Sequence, residues 1–286
     1  MDNGIFQIIV DSCADFLDNP LRGDDYVRIP FTITVDGQNF VDRELDIDTL
    51  LLAMKERVGQ VLTACPSPAD FLSAISESAH SFIVTISSKL SGSYTSALAA
   101  RDIYLDEHKD NKDKKIHVID SKSAAAAENL ILLKLRELIQ NGFSYNAIVD
   151  ETTKFVSKMR TLFVLESLEN LVKNGRISKA NYLIGSALRV VPVMGENGDG
   201  EIELHAKAIG RKGALRKLVE LIGKHNVDYA NSVLGITHIN ALERAIEVKD
   251  AIQSAYNFKE VLIFKSGGLS TVYGDDGGII LAFPTV

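Results

Sequence analysis

Three features of the sequence predict an α/β fold made of two α/β units. Short β-branched apolar runs recur along the chain, longer segments of helical period separate them, and most runs are continuous rather than alternating. Continuous apolar runs mark strands covered on both faces, as in parallel or mixed sheets with crossover helices. The strand segments are 6–10, 26–35, 83–87, 116–120, 190–194, 232–237, 261–264 and 279–283.

Helical segments lie between them. Ala241, Ala245, Val248, Ile252 and Ala255 keep a 4-3-4-3 spacing, and Leu215, Leu218 and Ile222 form a similar stripe. Ser67 followed by Pro68 is a cap-and-proline start for a helix carrying Phe71, Leu72 and Ile75. Ser123 is placed to cap a helix carrying Ile131, Leu135 and Leu138, which should end near Asn141 and Gly142. From Tyr145 to Leu188 no strand is expected, only helical pattern broken at Asn174 and Gly175. Residues 195–200 read as an exposed turn between 190–194 and 202–206. The chain therefore divides into an N-terminal unit, residues 1–160, and a C-terminal unit, residues 161–286, packed closely because no Pro/Ser-rich linker joins them.

Composition narrows the function. With 286 residues, 46% apolar and 24% charged, the chain is neither disordered nor a disulfide scaffold. At this length roughly 75% of the unfolded surface can be buried, so the core needs no staples. Its 31 basic and 38 acidic residues leave −7, which argues against nucleic acid or an anionic bilayer as partner. Cys13 and Cys65 form no C-x-x-C or Cys/His cluster and read as reduced thiols of a cytoplasmic protein. No basic, apolar leader is visible. No window approaches the ~18–20 apolar residues of a bilayer span, so stable membrane insertion is not expected.

Motifs for familiar chemistry are missing. Gly223 and Lys224 lack the leading glycine and following hydroxyl of a phosphate loop. The histidines at 80, 108, 117, 205, 225 and 238 have no metal-ligand spacing, and there is no G-x-S-x-G elbow. Asp46 with Asp48, and Asp275 with Asp276, read as solvated loop acids. No catalytic residue, metal or cofactor is expected.

Hydroxyls concentrate instead. Residues 63–67, 87–96, 120–123 and 265–271 are rich in Ser and Thr and follow predicted strands, at the sheet edges where α/β proteins bind ligands. Six of the ten residues 87–96 are Ser or Thr, more than a helix cap requires. A helix N-terminus with Thr63, Ser91 and Ser93 beside it suits an anion. With Lys89 as the only local cation, one carboxylate fits better than a polyphosphate.

The segments Asp11-Ser12-Cys13-Ala14-Asp15, Thr63-x-x-Pro66-Ser67, Ser87 to Ala97, Asp120-Ser121 and Leu168 to Ser178 occur in order. This series resembles the DegV family, which includes the fatty-acid-binding subunits of bacterial fatty acid kinase, and the likeness runs from Phe6 to Phe283. The resemblance implies a long-chain fatty acid bound at the domain junction. Its carboxylate would be held by Thr63 and Ser91, with Ser67, Gly92 and Ser93 beside them, and Arg176 matches the family's Gly-Arg-Ile-Ser arginine. In kinase-coupled members this subunit does no chemistry and presents the carboxyl to a separate ATP-dependent kinase catalytic subunit. Burial of a C16 chain contributes roughly 12 kcal/mol gross, at about 0.8 kcal/mol per methylene. Leu183, Ile184, Leu188, Val190 and Val193 are candidate tunnel walls.

Two positions depart from the family pattern. Tyr273 stands where a histidine is usual, and cannot become cationic. Ile209-Gly210-Arg211-Lys212-Gly213 stands where Arg-Thr-Arg-Lys-Lys is usual, which weakens the expectation of a kinase partner more than that of fatty-acid binding. The alternatives are a binder of another acyl or isoprenoid carboxylate, and an acyl-processing enzyme using Ser91 or Ser93 as nucleophile.

Overall fold

The apolar runs assemble into three sheets. The computed structural model describes residues 5–17, 26–77, 79–111, 113–178 and 189–286. The chain runs β1 (Phe6–Asp11), β2 (Phe16–Leu17), β3 (Tyr26–Ile29), β4 (Thr32–Val35), β5 (Gln38–Val41), α1 (Ile47–Glu56), β6 (Leu62–Ala64), α2 (Pro68–Ala74), β7 (His80–Thr85), α3 (Ser93–Glu107) and β8 (Ile116–Asp120). It continues through α4 (Ala126–Gln140), α5 (Tyr145–Lys158), β9 (Met159–Val164), α6 (Glu169–Lys173), β10 (Val190–Glu196), β11 (Ile202–Ile209) and α7 (Gly210–Ile222). Then come β12 (Val233–His238), α8 (Leu242–Ala255), β13 (Glu260–Lys265), α9 (Gly268–Gly274) and β14 (Ile279–Pro284).

The first sheet is parallel, in the order β3-β1-β7-β8. Its runs are continuous because both faces are covered. Ile9, Ile83 and Val118 pack under α2 and α3, while Ile8, Val10, Phe82 and Val84 pack under α4 and α5. The second sheet is mixed, in the order β11-β10-β9-β14-β12-β13-β2, with β12 and β13 its parallel pair. One face, through Leu162, Leu234, Ile236 and Leu281, buries the predicted stripes of α7 and α8, including Leu218, Ile222, Ala245, Val248 and Ile252. The third sheet, β5-β4-β6, is antiparallel and packs Ile33, Val35 and Phe40 on Leu50 and Met54 of α1 and Val272 of α9.

Helix α4 lies between the two large sheets. It packs Leu130, Ile131 and Leu135 in one cluster with Phe82 of the first sheet and with Met159, Phe264 and Ala282 of the second. Small residues at its start permit close approach: a Cβ on Gly235 of β12 would lie 3.1 Å from the Ala126 methyl. Residue 160, where the sequence reading divides the chain, lies inside β9.

Four expectations are corrected. Segment 26–35 is two strands in different sheets, because Pro30 lacks the N–H that would continue the ladder. A strand does occur between 145 and 188: β9 sits inside the second sheet, and it follows α5 with no turn residue to mark the change. Ser123 does not cap α4, whose N-cap is Ala125 at φ 57° with no side-chain bond. The segment 195–200 is not wholly exposed: Asn197 to Asp199 are, but Gly195 and Gly200 are buried.

Gly200 docks this hairpin tip onto the turn that follows β7. Its φ of 91° lies in the left-handed region, and its carbonyl accepts from Ser87 Oγ at 2.7 Å. A Cβ there would collide with Ser87 Oγ. Gly200→Ala should therefore cost about 1–2 kcal/mol from backbone strain alone, read as a lowered Tm in thermal unfolding. Among the described residues no helix is long and apolar enough to cross a membrane.

Candidate functional site

The inner face of the second sheet is only half covered. Helix α4 packs over Ala282 and Phe264, and the remainder, at Phe163, Leu165 and Ile280, forms one wall of a cavity. The opposite wall is the set of turns that leave the C-terminal ends of β1, β7 and β8: Cys13, Ile86, Leu90, Ala124 and Ala125. Leu269 and Tyr273 of α9 complete it. The empty space is about 830 Å³, part of it open to solvent.

One end is polar. On β6 the neighbours Leu62 and Ala64 are exposed and Thr63 points inward, where its Oγ1 lies 2.8 Å from Tyr273 Oη. Ser91 stands just before α3, whose N-cap is Gly92 without a side-chain bond and whose first turn carries no acid. Ser91 Oγ accepts from the Ser93 N–H at 3.3 Å, leaving its own proton to donate. Arg176 follows α6 after Gly175 (φ 74°), which reverses the chain. Its Nε donates to the Leu90 carbonyl at 2.9 Å. Asn174 Nδ2 donates to the Val61 carbonyl at 3.1 Å, and Gln60 Nε2 to the Lys173 carbonyl at 3.0 Å, which ties β6 to α6. Thr63, Ser91, Arg176 and Tyr273 thus line one cavity.

The other expected residues do not line it. Ser67 caps α2 in a reciprocal box with Asp70. Gly92 stands against Cys65, whose Sγ a Cβ would approach to 3.4 Å. Ser93 is fully buried and donates to Asp11 Oδ2 at 2.6 Å. Among the tunnel candidates, Leu183, Ile184 and Leu188 lie outside the described residues. Val190 does not line the cavity, and Val193 faces α7, because its position on β10 alternates to the opposite face.

Beneath the hydroxyl turns lies a set of buried acids. Asp11 accepts from Ser93, from the Ile86 N–H at 3.0 Å and from the Cys13 N–H at 3.1 Å. Burial nevertheless raises its pKa. Burial first, and the Asp11 charge second, push Glu128 well above the carboxylate range. Asp15 is pushed up to about 6 by burial, against bonds from Gly267 N–H at 2.8 Å and Thr237 Oγ1 at 2.7 Å. Burial pushes the Cys13 thiol well up, which removes its nucleophilicity at neutral pH. Asp42 accepts from the N–H groups of Gly268 and Leu269 at 2.7 and 3.0 Å, in the first turn of α9. Asp15 and Asp42 together pin the helix that carries Tyr273.

Among the described residues no histidine lines the cavity, and no cluster of His, Cys, Asp or Glu is placed to hold a metal. Sequence reasoning missed Thr161 and Glu196, which line the cavity together with Ser270 of the hydroxyl-rich segment 265–271. The signal available for the first two was a polar side chain at the edge of an apolar run, 162–165 and 190–195 respectively.

The model of the family described as uncharacterised protein, DegV family, matches residues 5–282. A DegV domain-containing protein of Streptococcus gordonii is 36% identical over 284 residues, 97% of this chain and 98% of its own. A DegV family protein of Ruminococcus gnavus, solved with vaccenic acid, is 32% identical with a TM-score of 0.90, over 98% of this chain and 99% of that one. The fatty acid kinase (Fak) B3 protein of Streptococcus pneumoniae, loaded with linoleic acid, is 33% identical with a TM-score of 0.90, over 99% and 100%. The fold, the order of its turns and the full-length matches agree: the chain belongs to the DegV family.

Proposed function

We propose that the chain is a non-catalytic binding protein for a long-chain fatty acid. The observation that carries this reading is a largely apolar cavity that brings Thr63, Ser91, Tyr273 and Arg176 together on its polar side. The carboxylate lies at that end and the acyl chain runs along Phe163, Leu165, Leu269 and Ile280. The apolar walls supply the affinity, at about 0.8 kcal/mol per buried methylene, offset by several kcal/mol of ordering cost. The carboxylate stays ionised because charge-assisted hydrogen bonds replace its water. Three of the four hydroxyl-rich segments come from residues 1–160, and the acyl wall just named comes from residues 161–286. Ser67, Gly92 and Ser93 support the carboxylate end by holding α2 and α3 in place.

The bound acid is presented to a separate fatty acid kinase subunit, a reading supported by the likeness to the pneumococcal protein. The face for that partner differs from the family's basic stretch. Arg211 is engaged by Glu166 at 2.7 Å and by the Leu165 carbonyl at 2.6 Å, Lys212 is exposed, and Ile209 is 80% exposed in place of an arginine. The protein works in the cytoplasm, where its thiols stay reduced.

Mass spectrometry of the purified, denatured protein should release C14–C18 acids near one per chain. Repeatedly empty protein that also fails to take up added fatty acid would overturn the reading.

A further inference from the structure

A second polar group lies in the cavity, away from the carboxylate end. Thr161 and Phe163 of β9 and Leu165 just beyond it share one face, since side chains alternate along an extended chain. Leu165 lies on the Tyr273 side of the cavity: its Cδ2 lies 3.7 Å from a Cβ built on Gly274, the residue after Tyr273. Thr161 is four residues back, about 13 Å away along the strand. There its Oγ1 is hydrogen-bonded to Ser123 Oγ, and both residues are buried and line the cavity. Only one of the two hydroxyl protons is used in that bond, so a donor and several lone pairs remain unassigned.

Glu196 adds to this group. The antiparallel pairing Met194 to Phe163 and Gly195 to Leu162 brings Glu196 alongside Thr161. Its Oε1 is buried and accepts no hydrogen bond among the described residues, and the cation nearest to it, Arg160 Nη1, is 3.9 Å away. Burial holds this carboxyl above the usual range. The other Glu196 oxygen, Oε2, accepts from the Gly198 N–H of the hairpin turn, but a wall meant only for methylenes gains nothing from two hydroxyls and an unpaired carboxyl oxygen, and their incomplete pairing costs stability.

We infer that the Ser123, Thr161 and Glu196 group is a subsite for a hydroxyl carried mid-chain, so that the preferred ligand is a hydroxylated long-chain fatty acid. An alcohol both accepts from the serine–threonine pair and donates to the glutamate oxygen. A site built to pair a hydroxyl discriminates against the ligand that lacks it, because its own groups are then left unpaired. This rests on the fatty-acid reading above. Thr161 stands about 13 Å along the strand from Leu165 on the Tyr273 side. Ser91 is linked to Ser123 through Ser87, whose carbonyl accepts from the Ser91 N–H at 3.1 Å and whose N–H donates to the Ser123 carbonyl at 2.8 Å. The position of the hydroxyl along the acyl chain is what the isomers below read.

The test is displacement of a fluorescent fatty acid from delipidated protein by stearic, 2-hydroxystearic, 10-hydroxystearic and 12-hydroxystearic acids. At least one of the two mid-chain isomers should bind about tenfold tighter than stearic acid, with no gain for the 2-hydroxy acid. In Thr161→Val, and in Thr161→Val with Ser123→Ala, the ratio of mid-chain hydroxy acid to stearic acid should fall to about one. The ratio is insensitive to a general loss of folded protein, and the near-isosteric single variant guards against failure of the double. Equal binding of stearic acid and both mid-chain isomers, as expected if the group merely holds water, would overturn the subsite. So would an advantage that persists in the variants. Failure of all four acids to bind would overturn the fatty-acid reading itself.

Discussion

Replacing Thr63 by valine and Ser91 by alanine together is expected to weaken long-chain fatty-acid binding by about 10²–10⁴-fold, since each hydrogen bond to a charged group contributes about 1.5–3 kcal/mol. Both hydroxyls line the polar end of the cavity, and Thr63 Oγ1 is within 2.8 Å of Tyr273 Oη. Removing one partner leaves the carboxylate buried with too few donors, a cost larger than the bond's net value in water. Valine keeps the shape of threonine, so the loss at position 63 is one of donor and not of volume. The two single variants should each lose about 10–100-fold. Affinity across a series of chain lengths separates the two ends of the site: the gain per methylene should persist in the double variant, because the apolar wall at Phe163, Leu165 and Ile280 is untouched. Wild-type affinity in the double variant would remove Thr63 and Ser91 from the site.

The second large effect is on stability. Asp15 in the folded protein titrates at about 6, against about 3.9 in an unfolded chain. The folded state therefore holds a proton between those values that the unfolded state has already released. The stability linked to that proton is fully present below pH ~4 and is lost as pH rises through ~6, a loss of about 3 kcal/mol. Asp11 and Glu128 are shifted in the same direction by burial, so the wild type should lose at least this much. Asp15→Asn keeps an acceptor for the Gly267 N–H and removes the titration. Urea unfolding at pH 4, 5, 6 and 7 should show a decline in the variant shallower by about 3 kcal/mol over the range. Equal declines would exclude Asp15 as the source. The acid is retained despite this cost because its two oxygens hold the Gly267 N–H and Thr237 together, tying the turn before α9 and β12 to the turn between β1 and β2.

Legibility in the sequence followed the range of the interactions. Segments 6–10, 116–120 and 279–283 were readable because a strand buried on both faces needs an unbroken apolar run, and such a run is visible without knowing its neighbours. The α7 and α8 stripes were readable for the same local reason. β9 was not, because nothing local separates it from α5: Lys158 ends the helix and Met159 starts the strand. The split at Pro30 was written in the sequence as a missing donor, but it acquires meaning only when the ladder it interrupts is known. At the site, the surplus of Ser and Thr at 87–96 marked the right turn, yet composition cannot rank its members. Ser91 faces the cavity while Ser93, two residues on, serves Asp11. Ser67 has the same side chain and spends it on a helix cap.

By itself the sequence determined an α/β chain with strand-to-helix turns rich in hydroxyls, too few local cations for a polyanion, and, through the order of those turns, its family. Periodicity, capping and charge act over one or two turns of chain, so they are legible there. Only the tertiary structure decided that α4 covers half of a sheet face and leaves the other half as a cavity wall. Only it placed Thr63 on Tyr273, 210 residues away in sequence, and set Thr161 and Ser123 side by side with Glu196. Those pairings depend on how two sheets pack across a shared helix, and packing is a property of surfaces that no single segment carries.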